Sequence, residues 1–454
     1  MATANAGDLI LRTNVGGNLT RLVRLDASGR WHALHVDPRN ESDLDGVVLD
    51  PPTEQPLIAR YRSTIAANYG LTAEVRRHVD AINRRFPQRN LRLQVGRGER
   101  AQWLVHERSG SLRGERLHLY DPRTGGLREI LGDASFVRDG KRVARPLETA
   151  MARKIAFSYR ASDGMRLHGF MSVPLGIDAA KAPLVAVVHG GPFNLDRPQF
   201  SNDVQFLANR GYVVFQPNFR GSNGHGRDYM LAAQGDFGNG RVQQDIVEGV
   251  RYLLARGIGD AQRVGIVGTS FGGYSTLLGV TFQPELFKVG IAAVPPADFG
   301  WTLREYLGAG QQMAPGIPMA TSMRHLSLDP ADKRLTARLT AQSPIANADR
   351  LQRPLLILAG GEDERVPIRG VTQYAAKLKS LGKDISLFVH ADAGHSVDDT
   401  RTREAYYHLM ETLLHRHLGG AAPQPPDGEL RSHIRRNLRL AGRDLQHLRQ
   451  AGRR

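Results

Sequence analysis

Residues 263–279 read RVGIVGTSFGGYSTLLG: an apolar run, a glycine-flanked serine, and a stretch of small and apolar residues suited to a helix. Within it, Gly268-Thr269-Ser270-Phe271-Gly272 spells G-x-S-x-G between a predicted strand and a predicted helix. The two glycines let the chain turn sharply, so Ser270 is lifted to the end of the sheet with its hydroxyl presented. The helix that follows aims the positive end of its dipole at the same place. The bare pentapeptide is also an ordinary glycine-rich loop; its position between strand and helix is what points to a nucleophile.

Outward from this turn, apolar runs alternate with helical stretches. LVAVVHG (184–190), YVVFQPNF (212–219), VGIAAVP (289–295), PLLILAG (354–360) and ISLFVHA (385–391) read as strands. Helices are expected near 200–209, 241–256, 271–282, 368–381 and 400–417. Nearly continuous Val, Ile and Leu runs suit strands covered on both faces, and the alternation predicts a doubly wound α/β sheet. A hairpin, IAFSYRA and MRLHGFMSVP around Asp163-Gly164, opens this region, and residues 301–345 interrupt it with an irregular insertion.

Before about residue 150 the grammar differs. LILRT, TRLVRLD, WHALHV, LRLQV, QWLVHE and RLHLYD are short alternating runs broken by turn residues, which is antiparallel β patterning. Val75, Val79, Ile82 and Phe86 recur at helical spacing behind Thr72, and Pro87 stops them. At about 40–50 residues per four-stranded blade, the segment supplies about three blades, short of a closed propeller. The predicted organisation is 1–150, a partial β-propeller-like domain; 151–420, an α/β-hydrolase catalytic domain; and 421–454, a linker with a basic tail. In the tail, Ile434, Leu438, Leu445 and Leu448 are expected to form one helical stripe.

A serine hydroxyl attacks only when a positioned imidazole takes its proton, so a carboxylate and a histidine are expected on later strand ends. Asp363 follows the strand PLLILAG, and His395 follows ISLFVHA. The order Ser, Asp, His is that of an α/β-hydrolase. Asp363 also reads as a turn carboxylate beside Glu362 and Glu364, and His390 as a structural strand residue. The developing oxyanion needs donors, predicted to be the backbone N–H groups of Phe271 and of Gly191 in His189-Gly190-Gly191-Pro192. This chemistry calls for no metal or organic cofactor.

Several motifs together resemble the prolyl oligopeptidase family of serine peptidases, particularly its acylaminoacyl-peptidase-like branch. They are HGGP (189–192), NFRGSNGHGRDY (218–229), GDFG (235–238), DIVEGVRYL (245–253), GTSFGGY (268–274), SPI (343–345), GGEDERVP (360–367) and GHS (394–396). The resemblance covers about residues 150–418 and implies proteolysis of oligopeptides, with Ser270 as nucleophile, Asp363 as orienter and His395 as base. It also implies that Arg365 binds a substrate carbonyl; without it, Arg365 reads as a surface ion pair with Glu362 or Glu364. The chain departs from the family at Ala359, where many members have His, and at Phe271, where Tyr is frequent. Where some branches place a Tyr that assists the oxyanion stands His189, so the Gly191 N–H takes that role.

The chain has 454 residues, 41% hydrophobic and 23% charged, and no Cys, which excludes thiolate chemistry and disulfides. No run approaches the roughly 18 apolar residues that span a bilayer, and the start shows no leader pattern. A cytoplasmic protein is therefore expected as the sequence stands, or a periplasmic or secreted one if an upstream start supplies a signal. Of the net charge of +16, residues 421–454 hold eight Arg against Asp427, Glu429 and Asp444. That tail reads as a solvated charged helix rather than a specific nucleic-acid-binding arm. Expected partners are oligopeptide substrates, with no membrane insertion, and unpaired blade edges leave room for a homo-oligomer. Two rivals remain: a carboxylesterase with the same machinery and, from another class, an anion- or nucleic-acid-binding protein with lost activity.

Overall fold

The structure, a computed structural model, describes residues 8–449 except 98–100, 133–134, 139–140, 145–146, 309–311, 315–316 and 397–398. Its N-terminal part consists of small antiparallel sheets: β1 (Leu9–Thr13), β2 (Arg21–Leu25) and β3 (Trp31–His35); β4 (Leu44–Leu49), β5 (Pro56–Tyr61) and β6 (Ala67–Gly70); and β7 (Asn90–Val95), β8 (Trp103–Arg108), β9 (Arg116–Asp121) and β10 (Gly126–Leu131). A hairpin, β11 (Ser135–Arg138) and β12 (Lys141–Ala144), follows. Helix α1 (Ala73–Arg85) begins where the Thr72 hydroxyl caps the N–H of Val75. Its Val75, Val79 and Ile82 share a core with Ile58, Leu91, Leu93, Trp103, Val105 and Tyr120. The alternation in β7 and β8 is thus the signature of strands with one buried face.

The second part is one nine-stranded sheet. Its strands are β13 (Lys154–Arg160), β14 (Arg166–Ser172), β15 (Leu184–Val188), β16 (Val213–Asn218), β17 (Val264–Thr269) and β18 (Val289–Ala293), then β21 (Leu355–Gly360), β22 (Ile385–His390) and β23 (Leu438–Leu440). The order is β13-β14-β16-β15-β17-β18-β21-β22-β23. From β16 to β22 neighbouring strands run parallel, so their C-terminal ends form one edge. Continuous apolar runs arise because successive residues serve opposite cores: Leu355 and Ile357 of β21 face one, Leu356 and Leu358 the other. Helices α4 (Arg241–Leu254), α5 (Phe271–Phe282) and α9 (Ile368–Ser380) cover the first face. Helices α2 (Asn202–Asn209) and α10 (Thr400–Leu418) cover the second. The 301–345 insertion carries α6 (Phe299–Gly308), the short strands β19 (Gln312–Ala314) and β20 (Ile317–Pro318), α7 (Met319–His325) and α8 (Lys333–Ala341).

The C-terminal segment departs from the expected single stripe on a solvated helix. It folds as α11 (Gly428–Asn437), β23, a 3-10 turn at Arg443–Leu445 and α12 (Gln446–Arg449). Ile434, Leu438, Leu445 and Leu448 are all buried in the second core, but they reach it from four different elements. β23 pairs antiparallel with β22 and extends the sheet. The apolar positions were the stronger signal; the arginines merely occupy the outward side. Among the described residues no helix is long and apolar enough to cross a membrane.

The N-terminal sheets dock on loops that leave the C-terminal edge, including the segment after β16 that contains α3 (Arg227–Leu231). Asp43 donates its N–H to the Gly224 carbonyl at 2.8 Å and accepts from Gly226 N–H at 3.0 Å. Asn18 accepts from Asp228 N–H at 2.8 Å, and Arg166 meets Glu41 at 2.6 Å. The contacts of Asp43 satisfy backbone groups of the partly buried turn at Gly224–Gly226.

Candidate active site

The turn from β17 into α5 has the shape its glycines permit. Ser270 sits at φ 59°, ψ −120°, a strained conformation for a residue with a side chain. Its N–H is held by the Ala293 carbonyl at 2.9 Å, and its own carbonyl accepts from Tyr274 at 2.9 Å. A Cβ at Gly268 would fall 2.2 Å from the Gly272 carbonyl oxygen, and one at Gly272 would fall 1.9 Å from that of Val188. Both positions therefore exclude any other residue. Ser270 itself is partly exposed, whereas Phe271 is buried among Phe219, Phe237, Tyr274 and Phe299, which fixes the start of the helix.

Asp363 and His395 are brought together on the same edge. The imidazole Nδ1 lies 2.9 Å from Asp363 Oδ1 and 2.8 Å from Oδ2, so Nδ1–H donates and Nε2 is left as a base. The carboxylate is itself anchored: Oδ1 accepts the backbone N–H groups of Arg365 and Val366, each at 2.9 Å. Two backbone bonds lace the loops together, Gly361 N–H to the His390 carbonyl at 2.9 Å and Glu362 N–H to that of Ala393 at 3.0 Å. Gly360 and Gly361 allow this approach, since a Cβ on either would lie within 2.3 Å of a carbonyl oxygen in the His loop. Among the described residues no hydrogen bond joins the Ser270 hydroxyl to the His395 ring. In an unliganded site such bonds often tighten only when a ligand binds. His390 turns away from the site and contacts the Thr402 hydroxyl at 3.1 Å.

The loop after β15 passes beside Ser270. A Cβ on Gly190 would come 3.2 Å from that of Ser270 and 3.9 Å from its hydroxyl oxygen. Gly191 follows at φ +133° and is exposed; among the described residues no backbone carbonyl takes the N–H of Gly191 or Phe271. His189 is occupied elsewhere: its Nδ1 meets the Gly190 carbonyl at 2.8 Å, its Nε2 meets the Ser222 hydroxyl at 3.0 Å, and its ring stacks on Phe219. Burial lowers its pKa despite the Asp196 carboxylate nearby, so the ring is neutral and structural. Arg365 is exposed, and its side chain makes no ion pair with Glu362 or Glu364 among the described residues.

One supporting group lay unassigned inside recognised motifs. Arg220, of NFRGS, donates through Nε to Asp245, of DIVEG, at 2.8 Å, and meets Asp163 at 2.7 Å; Arg241 reaches both carboxylates and Glu248. Burial works against the charge of Arg220, but its bonds to Asp163 and Asp245 carry its pKa upward. The network clamps the loop that receives the N-terminal sheets. An Arg in one motif and an Asp in the other were the available signal.

Residues 198–421 match the sequence profile described as the prolyl oligopeptidase family. Dipeptidyl aminopeptidase BIII of Pseudoxanthomonas mexicana is 30% identical over 315 residues, covering 67% of this chain and 43% of that protein. Acylamino-acid-releasing enzyme 2 of Oryza sativa subsp. japonica is 31% identical over 227 residues, 49% of this chain and 28% of that protein. The chain thus spans less than half the length of these curated relatives. Among solved structures, acylaminoacyl peptidase of Pyrococcus horikoshii superposes with a TM-score of 0.63 at 20% identity, covering 91% of this chain and 61% of that one. A puromycin-hydrolyzing peptidase of Mycobacterium tuberculosis does so with 0.69 at 18%, covering 94% and 63%. These likenesses carry the α/β-hydrolase fold with its N-terminal β region. Through residues 198–421, the chain belongs to the prolyl oligopeptidase family.

Proposed function

We propose that this chain is a serine-type peptidase that cleaves oligopeptides through an acyl-enzyme. The observation that carries the reading is the Asp363–His395 pair, at 2.8 Å, on the same sheet edge as the strained Ser270 turn. His395 Nε2 takes the Ser270 proton as the hydroxyl oxygen attacks the scissile carbonyl carbon. The N–H groups of Gly191 and Phe271 receive the oxyanion. On collapse the C–N bond breaks, His395 returns the proton to the leaving amine, and water repeats the sequence to release the acid. Asp363 holds the tautomer and offsets the charge of the imidazolium. Arg365, exposed beside Asp363, is read as the group that meets a substrate carbonyl. The named relatives, a dipeptidyl aminopeptidase and an acylamino-acid-releasing enzyme, support short peptides as the substrate class.

The test is peptide turnover and fluorophosphonate labelling of wild type and Ser270→Ala. The variant is expected to lose about four to six orders of magnitude in kcat and all labelling, with its melting temperature held. Labelling that persists in the variant contradicts the assignment. In the same assay Arg365→Gln is expected to raise KM more than it lowers kcat.

A further inference from the structure

At the seam between the two parts, several guanidinium groups converge on one carboxylate. Arg60 and Arg62 are two residues apart along β5 and its end, so they share a face, while Ala59 and Tyr61 between and beside them turn into the core. Arg60 Nε donates to Asp45 Oδ2 at 3.0 Å, and Arg62 Nε donates to the same oxygen at 2.8 Å. Arg197, from the hydrolase part, reaches Oδ1 at 3.4 Å, and Arg12 donates to the Asp45 carbonyl at 3.2 Å. Gly46 pairs with Arg60 across the strands, and a Cβ there would lie 2.4 Å from the Arg60 guanidinium. Glycine at that position makes the space in which the guanidinium lies.

The cluster has more charge and more donors than Asp45 can absorb. Each guanidinium carries five N–H donors, and one carboxylate accepts only a few. The nearby acids are committed elsewhere, Asp43 to the N–H groups of Thr20 and Gly226, and Glu41 to Arg166. Burial, with Arg62 and Arg92 close by, lowers the pKa of Arg60 even against Asp45. The side chains of Arg60, Arg62 and Arg197 retain 16%, 20% and 38% of their exposure, enough for a ligand to reach them and little enough for the medium to strengthen its attraction.

Chain connectivity bounds the distance between this cluster and the Ser270 turn. Arg197 belongs to the loop that carries Gly191, so the two are at most about 21 Å apart even fully extended. That loop is also turned back on itself by bonds from Asn194 N–H to the Pro192 carbonyl and from Gln199 N–H to that of Arg197. A short peptide acylating Ser270 spans such a distance.

We propose that Arg60, Arg62 and Arg197 form an anion subsite that receives a carboxylate of the bound peptide, its free C-terminus or an acidic side chain, with Asp45 holding the guanidinium forks in place. The proposal rests on the peptidase reading. Its test uses four matched peptides: a neutral C-terminal amide, the same peptide as the free acid, and two amides differing by Glu or Gln at one internal position. Wild type is expected to prefer the free acid over the amide, or Glu over Gln, by about tenfold in kcat/KM, mostly through KM, and less so at high salt. The first preference assigns the C-terminus as the source, the second a side chain.

In Arg62→Gln and in Arg197→Gln the ratio is expected to fall toward one. Gly46→Ala, which displaces Arg60 without removing charge, should lower it as well and covers the case of a misfolded charge variant. Equal turnover of all four peptides by wild type, or a preference that survives in every variant, overturns the subsite and leaves the peptidase reading intact. Turnover of none of them overturns the peptidase reading and the subsite with it.

Discussion

The nine-stranded sheet and the N-terminal sheets solve the same folding problem differently. In the large sheet almost every residue of β16, β18, β21 and β22 is buried, so each strand holds two cores together. In the N-terminal sheets a strand has one inner face, and Trp31 of β3 remains 49% exposed. There, charged networks do part of the holding: Glu107 and Glu148 gather Arg89, Arg116 and His118 between them. The lesson is a division of labour. Apolar burial on two faces holds the large sheet together, while the smaller sheets and their seam add charged networks to smaller apolar cores.

The largest effect that could break this division concerns the chemistry. Asp363→Asn is expected to lower kcat by about four orders of magnitude while leaving the melting of both parts unchanged, because it disturbs a tautomer and no core. An activity loss of less than tenfold would place the base elsewhere. A second variant sharpens the energetic half of the comparison. Ile434 is fully buried against the large sheet, so Ile434→Ala is expected to cost about 2–5 kcal/mol, read by denaturant unfolding. A tail that merely sits in solvent would show almost none of that loss.

The parallel strands were legible because continuous Val, Ile and Leu runs have few other uses, and the placement of Ser270, Asp363 and His395 after three such runs followed from the same pattern. The C-terminal segment was less legible. Leu438-Arg-Leu440 is too short to announce a strand, and its sense comes only from β22, some fifty residues earlier in the chain. The seam was illegible for a related reason. Asn18 bonds to Asp228, and Asp45 to Arg197, across separations of 210 and 152 residues. Polar residues that find partners over such distances leave no periodicity to read, and RYR at 60–62 looks like any solvated strand end.

The smallest expected effect tests how the seam answers to pH. His168 of β14 and His225 of the docked loop stack with ring centroids 4.3 Å apart. They are packed with Tyr229 and faced by Glu41, Asp43 and Arg166. Burial, helped by the neighbouring ring and Arg166, pushes His168 down to about 3; burial, opposed by Glu41 and Asp43, pushes His225 down to about 4. An unfolded chain takes up these protons near pH 6.5. The stability the neutral pair provides is therefore complete above that pH and is lost as the pH falls toward the folded values, by up to about 1.4 kcal/mol per pH unit for each ring. Between pH 6.5 and 5 ordinary carboxylates titrate little, so the histidines dominate the slope. His225→Gln is expected to flatten the fall in stability across that window, followed by thermal unfolding in matched buffers. If the slope is the same in the variant, acid sensitivity does not reside in the seam, and the contrast between a charge-dependent junction and an apolar frame loses its footing there.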